Sequence, residues 1–94
     1  MKLYLAGPMA GRKNLNFEAF AKAADDLRLQ GYSVYNPAAA NLEGMRLGNI
    51  MAHVLCWLCE EAEAIAMLPG WWRSGGARIE WMLAKYLKLK IIYL

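Results

Sequence analysis

The sequence has few of the features that mark secreted, membrane-spanning or nucleic-acid-binding proteins. Among its 94 residues are two cysteines, Cys56 and Cys59, so we expect no disulfide framework and a reducing, cytoplasmic environment. No apolar run approaches the roughly 20 residues of a membrane span, and Gly7-Pro8 end the first run too early for a signal peptide. The formal net charge of +3 is too small to indicate a nucleic acid polymer as partner.

Apolar side chains, in contrast, are abundant. Hydrophobic residues make up 59% of the chain and aromatic residues 12%, a composition that excludes disorder. We expect a single domain over residues 1–94. A small domain has little interior, so we also expect a homodimer or larger homo-oligomer, with Cys56 and Trp57 lying off the core stripe of the second helix.

Hydrophobic periodicity predicts four strands that alternate with three helices. Short apolar runs ended by turn residues predict strands at 2–6, 32–35, 63–68 and 90–94. Asn16 and Ser74 are expected to cap helices, and Gly31 to end the first one. The third helix is predicted to bury the apolar stripe of Ile79, Met82, Leu83, Tyr86 and Leu87. The order βαβαβαβ predicts an α/β fold, a small doubly wound parallel sheet of about four strands.

Ligands of such sheets bind beyond the carboxyl ends of the strands, which here are followed by loops 7–15, 36–44 and 69–76. In the last of these, Arg73 and Ser74 precede Gly75-Gly76 at the start of a helix, where free N–H groups could bind a phosphate or a 5′-hydroxyl. An ordinary glycine-rich turn before a capped helix explains the same residues equally well. Neither a Walker A motif nor GxGxxG is present to decide between them.

Glu80 is the acidic residue of greatest interest. The helical pattern places it at the margin of the predicted buried face, with the small residues Ala77 and Ala84 beside it. A carboxylate in that position could attack an anomeric carbon, as in retaining glycoside chemistry. The alternative is a glutamate at the rim of the domain, paired with a lysine or arginine.

Five segments together resemble the nucleoside 2-deoxyribosyltransferase superfamily, and in particular its short, largely phage-borne branch. They are Tyr4-Leu5-Ala6-Gly7-Pro8, Phe17 with the helix after it, Gly31 to Pro37, the run from Glu63 to Trp71, and Ser74 to Glu80. The resemblance implies a flavodoxin-like sheet and cleavage of the bond between deoxyribose and base through a covalent glycosyl–Glu intermediate. Transferases of that superfamily pass the sugar to a second base. Related hydrolases pass it to water and prefer 5′-monophosphates.

The same resemblance suggests roles for individual residues. Glu80 matches the nucleophile, which we expect to be ionised at neutral pH, and Tyr4 matches the tyrosine that hydrogen-bonds it. Glu63 stands where many relatives have an aspartate that assists the leaving base, so the acid on that side is in question. The candidate substrate contacts in the three loops are Gly7, Pro8, Arg12, Asn36, Trp71, Arg73, Ser74, Gly75 and Gly76. The substrate implied is a small deoxynucleoside or nucleotide; the alternative is a non-catalytic nucleotide-binding or interaction module.

Two further patterns, the cysteine pair of the second helix and the adjacent tryptophans, do not identify a function. Cys56 and Cys59 form a C-x-x-C near the end of a helix, whereas a redox motif would follow a strand at a helix start. With His53 they offer three ligands on one helix, which cannot complete a tetrahedral zinc site. We therefore expect no metal and no organic cofactor. The indoles of Trp71 and Trp72 could stack on a base or act as packing lids, and the sequence favours neither.

Overall fold

The computed structural model describes residues 1–9, 16–39 and 44–94. The strands are β1 (Lys2–Ala6), β2 (Ser33–Tyr35), β3 (Ala64–Met67) and β4 (Lys90–Tyr93). The α-helices in the described segments are α1 (Phe17–Leu29), α2 (Leu47–Glu60) and α3 (Gly75–Tyr86). Two short 3₁₀ helices, Pro37–Ala39 and Trp71–Arg73, lie where loops were predicted.

The four strands form one parallel sheet in the order β2-β1-β3-β4. Leu3 of β1 pairs with Val34 on one side and with Ala64 on the other. The chain therefore reverses its direction of travel across the sheet between β1 and β3, which is where ligands of such folds bind. The predicted α/β class and the all-parallel, four-stranded sheet are confirmed, and the arrangement is compatible with a flavodoxin-like fold.

The sheet separates two cores because successive side chains of a strand point to opposite faces. Leu3 and Leu5 of β1 face α1, whereas Tyr4 and Ala6 face α2 and α3. The buried helical residues that meet them are Phe20, Ala24 and Leu27 on the α1 side, and Val54, Leu58, Ala77 and Ala84 on the other. Two helices thus cover the face from which the Tyr4 side chain projects.

The orientation of α3 differs from the prediction. Ile79, Met82 and Tyr86 are 50%, 63% and 84% exposed, and Leu87 is exposed as well, so most of the expected apolar stripe faces outward. Leu83 is the member of that stripe that packs against the core. The residues of α3 that are buried instead are Ala77, Glu80 and Ala84. Alanine side chains let the helix axis lie close to the sheet, which larger residues on that face would prevent. This orientation turns Glu80 inward.

The helix ends follow the prediction in part. The hydroxyl of Ser74 accepts a hydrogen bond of 3.2 Å from the Ala77 N–H, and Gly31 follows α1 with a φ of +98°. Asn16, however, does not cap α1 through its side chain. Its amide nitrogen donates to the Pro8 carbonyl at 3.0 Å, so it ties the segment after β1 to the start of α1.

On α2, Cys56 is exposed and lies off the core side, as predicted, whereas Trp57 is half-buried. The Trp57 ring stacks on Tyr35 with centroids 4.8 Å apart and packs against the core on that face. The expectation that Trp57 lies off the core side is therefore wrong. Among the helices of the described segments, none has the length and hydrophobicity that crossing a membrane requires.

Candidate active site

A buried pair formed by Tyr4 and Glu80 is the centre of the candidate site. The Tyr4 hydroxyl donates a 2.6 Å hydrogen bond to Oε2 of Glu80. Glu80 is 7% exposed and is the one buried charged residue of the described chain. It is thus neither at the rim nor paired with a lysine or arginine, so the alternative of a rim glutamate is wrong. Among the described residues, Oε2 is the oxygen of Glu80 that forms a hydrogen bond.

Burial changes the acidity of both groups. Loss of water around the carboxylate raises the pKa of Glu80 from 4.5 to about 7, although the Tyr4 hydrogen bond acts to lower it. Burial also raises the pKa of Tyr4 well above 10, so its hydroxyl keeps the proton that it donates. Glu80 is therefore close to half ionised at neutral pH rather than fully ionised as expected. A carboxyl group balanced in this way at pH 7 is typical of functional sites.

Tyr35 lies beside this pair and was not among the predicted site residues. It pairs with Tyr4 in the register of β1 and β2, and the two rings stack with centroids 5.6 Å apart. Its hydroxyl is buried and has no hydrogen-bond partner among the described residues. Burial raises the pKa of Tyr35, and the charge of Glu80 raises it further. The alternation of side chains along β2 was the one sequence signal that could have identified Tyr35. It does not reveal the register with β1, which is what places Tyr35 beside Tyr4.

The start of α3 has open space around its glycines. A Cβ atom at Gly75 would meet nothing within 4 Å, and one at Gly76 would meet only the Met51 sulfur at 3.8 Å and the Ser74 hydroxyl at 4.0 Å. The fold itself does not need glycine at either position, and glycine weakens a helix relative to alanine. The free N–H groups of Gly75 and Gly76 lie about 6–8 Å along the helix axis from Glu80. The exposed Arg73 directly precedes them.

Gly7 and Pro8 have structural explanations that involve no ligand. A Cβ atom at Gly7 would lie 2.7 Å from the Leu68 Cβ, so glycine is required where the chain leaves β1 beside the end of β3. Pro8 is buried, and its carbonyl accepts the hydrogen bond of Asn16. The predicted substrate contact Arg12 lies outside the described residues.

Asn36 also serves the fold locally. Its side-chain oxygen accepts a hydrogen bond of 3.0 Å from the Ala38 N–H and so holds the 3₁₀ helix after β2. This contact uses one of the polar groups that Asn36 could offer to a ligand.

The two neighbouring indoles have different surroundings. Trp71 packs against the Trp81 ring at 5.1 Å and the Tyr93 ring at 6.3 Å, which makes it a packing residue. Trp72 is 56% exposed, so it is the indole that remains accessible for stacking on a ligand.

The structure does not bring Glu63 to this site. Glu63 is exposed and precedes β3, and its Oε1 accepts a 2.9 Å hydrogen bond from the backbone N–H of Lys2. Lys2 is the first residue of β1, so this contact lies at the amino end of the strands. The loops of the candidate site follow the carboxyl ends. The placement beside the base that the resemblance implied for Glu63 is therefore corrected.

The C-x-x-C segment takes no part in this arrangement. Cys56 and Cys59 are exposed and free on the outer side of α2. The described residues contain no group of three or more histidine, cysteine, aspartate or glutamate side chains placed to hold a metal ion.

Comparison with known sequences gives a family but no activity. Residues 1–93 match the family described as a domain of unknown function, DUF4406, and the chain belongs to that family. No curated protein matches the chain.

Proposed function

We propose that this member of the DUF4406 family cleaves or transfers at the N-glycosidic bond of a 2′-deoxynucleoside or its 5′-monophosphate. The observation that carries the proposal is the buried Glu80 carboxyl, held by Tyr4 at 2.6 Å beneath the open start of α3. Burying a carboxyl group opposes folding, because its charge is poorly solvated in the interior. The presence of such a group therefore indicates a functional role. The resemblance of five segments to nucleoside 2-deoxyribosyltransferases supports the same chemistry.

In the first step the ionised Oε1 of Glu80 attacks C1′ of the sugar. The Oε1–C1′ bond forms as the bond from C1′ to the base nitrogen breaks, and the electron pair leaves with the base, which takes a proton from solvent. Tyr4 keeps Oε2 in place and stabilises the ionised form of the carboxyl. A sugar without a 2′-hydroxyl suits this route because that group would destabilise the oxocarbenium-like transition state.

In the second step water or another base attacks C1′ and releases Glu80. Attack by water gives the free sugar, as in a hydrolase, and attack by a base nitrogen gives a new nucleoside, as in a transferase. Either nucleophile loses a proton to solvent as its bond to C1′ forms. Glu80 recovers its carboxylate when its bond to C1′ breaks.

We expect the 5′-phosphate to bind at the start of α3. Helix N-termini bind anions through free N–H groups and the helix dipole, and the glycines at 75 and 76 leave room for close approach. The exposed guanidinium of Arg73 adds a positive charge at the same end of the helix. These features favour a nucleoside 5′-monophosphate over the free nucleoside.

The position of Glu63 favours a second candidate function. With Glu63 at the amino end of the strands, the described residues place no second carboxyl beside Glu80 to protonate a leaving base. A non-catalytic nucleotide-binding or interaction module on the same fold would have no need of one. An enzyme without it would be restricted to labile bonds, such as those to purines.

The test is incubation of the pure protein with each of the four 2′-deoxynucleoside 5′-monophosphates, followed by chromatographic detection of free base. Glu80→Gln keeps the shape of the side chain and removes the charge, so nucleotide binding should survive while turnover falls by several orders of magnitude. Glu63→Gln is the matched control and should retain most activity. After a brief quench, mass spectrometry should find a deoxyribosyl adduct on the peptide that contains Glu80. Wild-type turnover by Glu80→Gln would overturn the covalent route, and nucleotide binding without turnover would favour the binding module.

We also propose that the protein is a homodimer or larger in the cytoplasm. The outward apolar face of α3, formed by Ile79, Met82 and Tyr86, replaces the expected α2 surface as the candidate interface. The exposed free cysteines and a nucleotide substrate fit a reducing compartment.

A further inference from the structure

The Tyr35 hydroxyl is a buried polar group that forms no hydrogen bond with the described residues. Its ring, in contrast, is held firmly. Tyr4 stacks on this ring at 5.6 Å with planes 16° apart, and Trp57 stacks on it at 4.8 Å with planes 26° apart. Packing of this kind fixes the direction in which the hydroxyl points.

An unpaired hydroxyl in the interior opposes folding because its hydrogen bonds to water are lost and not replaced. A phenylalanine would give the same stacking without this cost. The hydroxyl therefore needs a hydrogen-bond partner from beyond the described residues, and a bound ligand can supply one. Destabilising polar groups of this kind are typical of sites that bind a ligand.

The surroundings of the hydroxyl indicate where that ligand lies. Tyr35 and Tyr4 are register partners on the same face of the sheet, and Tyr4 binds Oε2 of Glu80. The Tyr35 ring lies 5.6 Å from the Tyr4 ring, whose hydroxyl is 2.6 Å from Oε2, so Tyr35 and Glu80 are both neighbours of Tyr4. A polar atom that satisfies the hydroxyl would therefore sit beside the carboxylate that attacks C1′.

We propose that the Tyr35 hydroxyl binds the 3′-hydroxyl of the substrate's deoxyribose. This inference rests on the proposed function, since it takes the ligand to be a 2′-deoxynucleoside 5′-monophosphate. The 3′-hydroxyl is the one sugar hydroxyl such a nucleotide carries, and it can both donate to and accept from a tyrosine. Tyr35 thereby holds the sugar against Glu80, and a sugar that lacks this group leaves the tyrosine hydroxyl buried and unpaired.

The test compares wild type with Tyr35→Phe on two probes, a 2′-deoxynucleoside 5′-monophosphate and its 2′,3′-dideoxy analogue. Tyr32→Phe is the control: it makes the same change at a tyrosine that contacts Lys90 instead of the site. For the first probe we expect Tyr35→Phe to raise Kd and lower kcat/KM about tenfold, the value of one hydrogen bond. For the dideoxy probe, wild type should show about the same tenfold higher Kd and lower kcat/KM, and Tyr35→Phe should show no further loss. Without ligand, the Tm of Tyr35→Phe should equal or exceed that of wild type.

Each other result decides against the inference in a different way. A lower Tm for the free variant would mean that the hydroxyl has a structural partner. Equal kinetics of wild type and Tyr35→Phe would refute the 3′-hydroxyl contact. So would a loss of affinity that is greater for Tyr35→Phe with the dideoxy probe than for either change alone. Both results would leave the proposed function intact. If wild type neither binds nor turns over the nucleotides, the proposed function fails and the contact fails with it. Tyr32→Phe should match wild type throughout.

Discussion

Tyr4 and Glu80 are 76 positions apart in the chain and share a 2.6 Å hydrogen bond in the interior of the protein. The two meet because β1 and β3 are neighbours in the sheet and α3, which follows β3, packs on the face from which Tyr4 projects. One contact thus unites the first strand with the last helix. It also gives a buried carboxyl its one hydrogen bond among the described residues.

Folding stability should depend on pH through Glu80. Its pKa is about 7 in the folded protein and near 4.5 when unfolded, so between these values the folded state binds more protons. The contribution of Glu80 to the free energy of unfolding is greatest below pH 4.5 and is lost as the pH rises through about 7. The loss is about 3 kcal/mol. Urea unfolding at several pH values should show this decrease in wild type and not in Glu80→Gln. Parallel curves for the two proteins would contradict the assignment.

Tyr4→Phe should shift the pH profile of the reaction. Removing the hydrogen bond that lowers the pKa of Glu80 leaves burial unopposed, so the carboxyl ionises at a higher pH. The acid limb of kcat/KM should move to higher pH, with the largest loss of activity at or below pH 7 and partial recovery above it. Initial rates across the pH range check this. An unmoved limb would mean that Tyr4 does not set the acidity of the nucleophile.

Alanine at two glycines should separate packing from ligand binding. Gly7→Ala places a methyl group 2.7 Å from the Leu68 Cβ and should lower the free energy of unfolding by about 1–3 kcal/mol. Gly75→Ala enters open space and should leave stability equal or slightly higher while weakening nucleotide binding. Chemical denaturation and calorimetry measure the two effects. Unchanged nucleotide affinity in Gly75→Ala would argue against a phosphate at the start of α3.

Arg73→Gln should reduce the preference for a 5′-monophosphate. A charge-assisted contact is worth about 1.5–3 kcal/mol, so the affinity for the monophosphate should fall at least about tenfold and that for the free nucleoside should not change. Arg78→Gln, an exposed arginine further along α3, is the matched control. Calorimetry with both ligands gives the comparison. Equal losses for nucleoside and nucleotide would place the phosphate elsewhere.

Met82→Glu should dissociate the expected homodimer. The substitution puts a charge in the outward apolar face of α3, where Met82 is 63% exposed in the single chain. Light scattering should give at least twice 10.6 kDa for wild type and a mass nearer 10.6 kDa for the variant. Gln30→Glu, at the exposed residue directly after α1, controls for the added negative charge. A monomeric wild type at micromolar concentration would refute the assembly.

The sequence determined the elements and their order because their signals are local. Apolar runs ended by glycine or proline mark the strands, and the Ser74 hydroxyl caps α3 as its position predicts. Alternation of strands and helices then leaves a parallel sheet as the arrangement that buries both faces. The importance of Glu80 was also visible, since small residues on either side leave room around it.

Only the tertiary structure decided which face of α3 is buried, which end of the sheet Glu63 occupies relative to Glu80, and that Tyr35 stands beside Tyr4. Apolar residues alone favour burial of Ile79 and Met82, yet the alanine face packs inward because it allows close approach to the sheet and gives Glu80 its partner. That gain depends on a tyrosine far away in the sequence. The helical periodicity of α3 gives no information about that tyrosine. The site therefore forms through the contact of distant residues and cannot be recognised in one segment by itself.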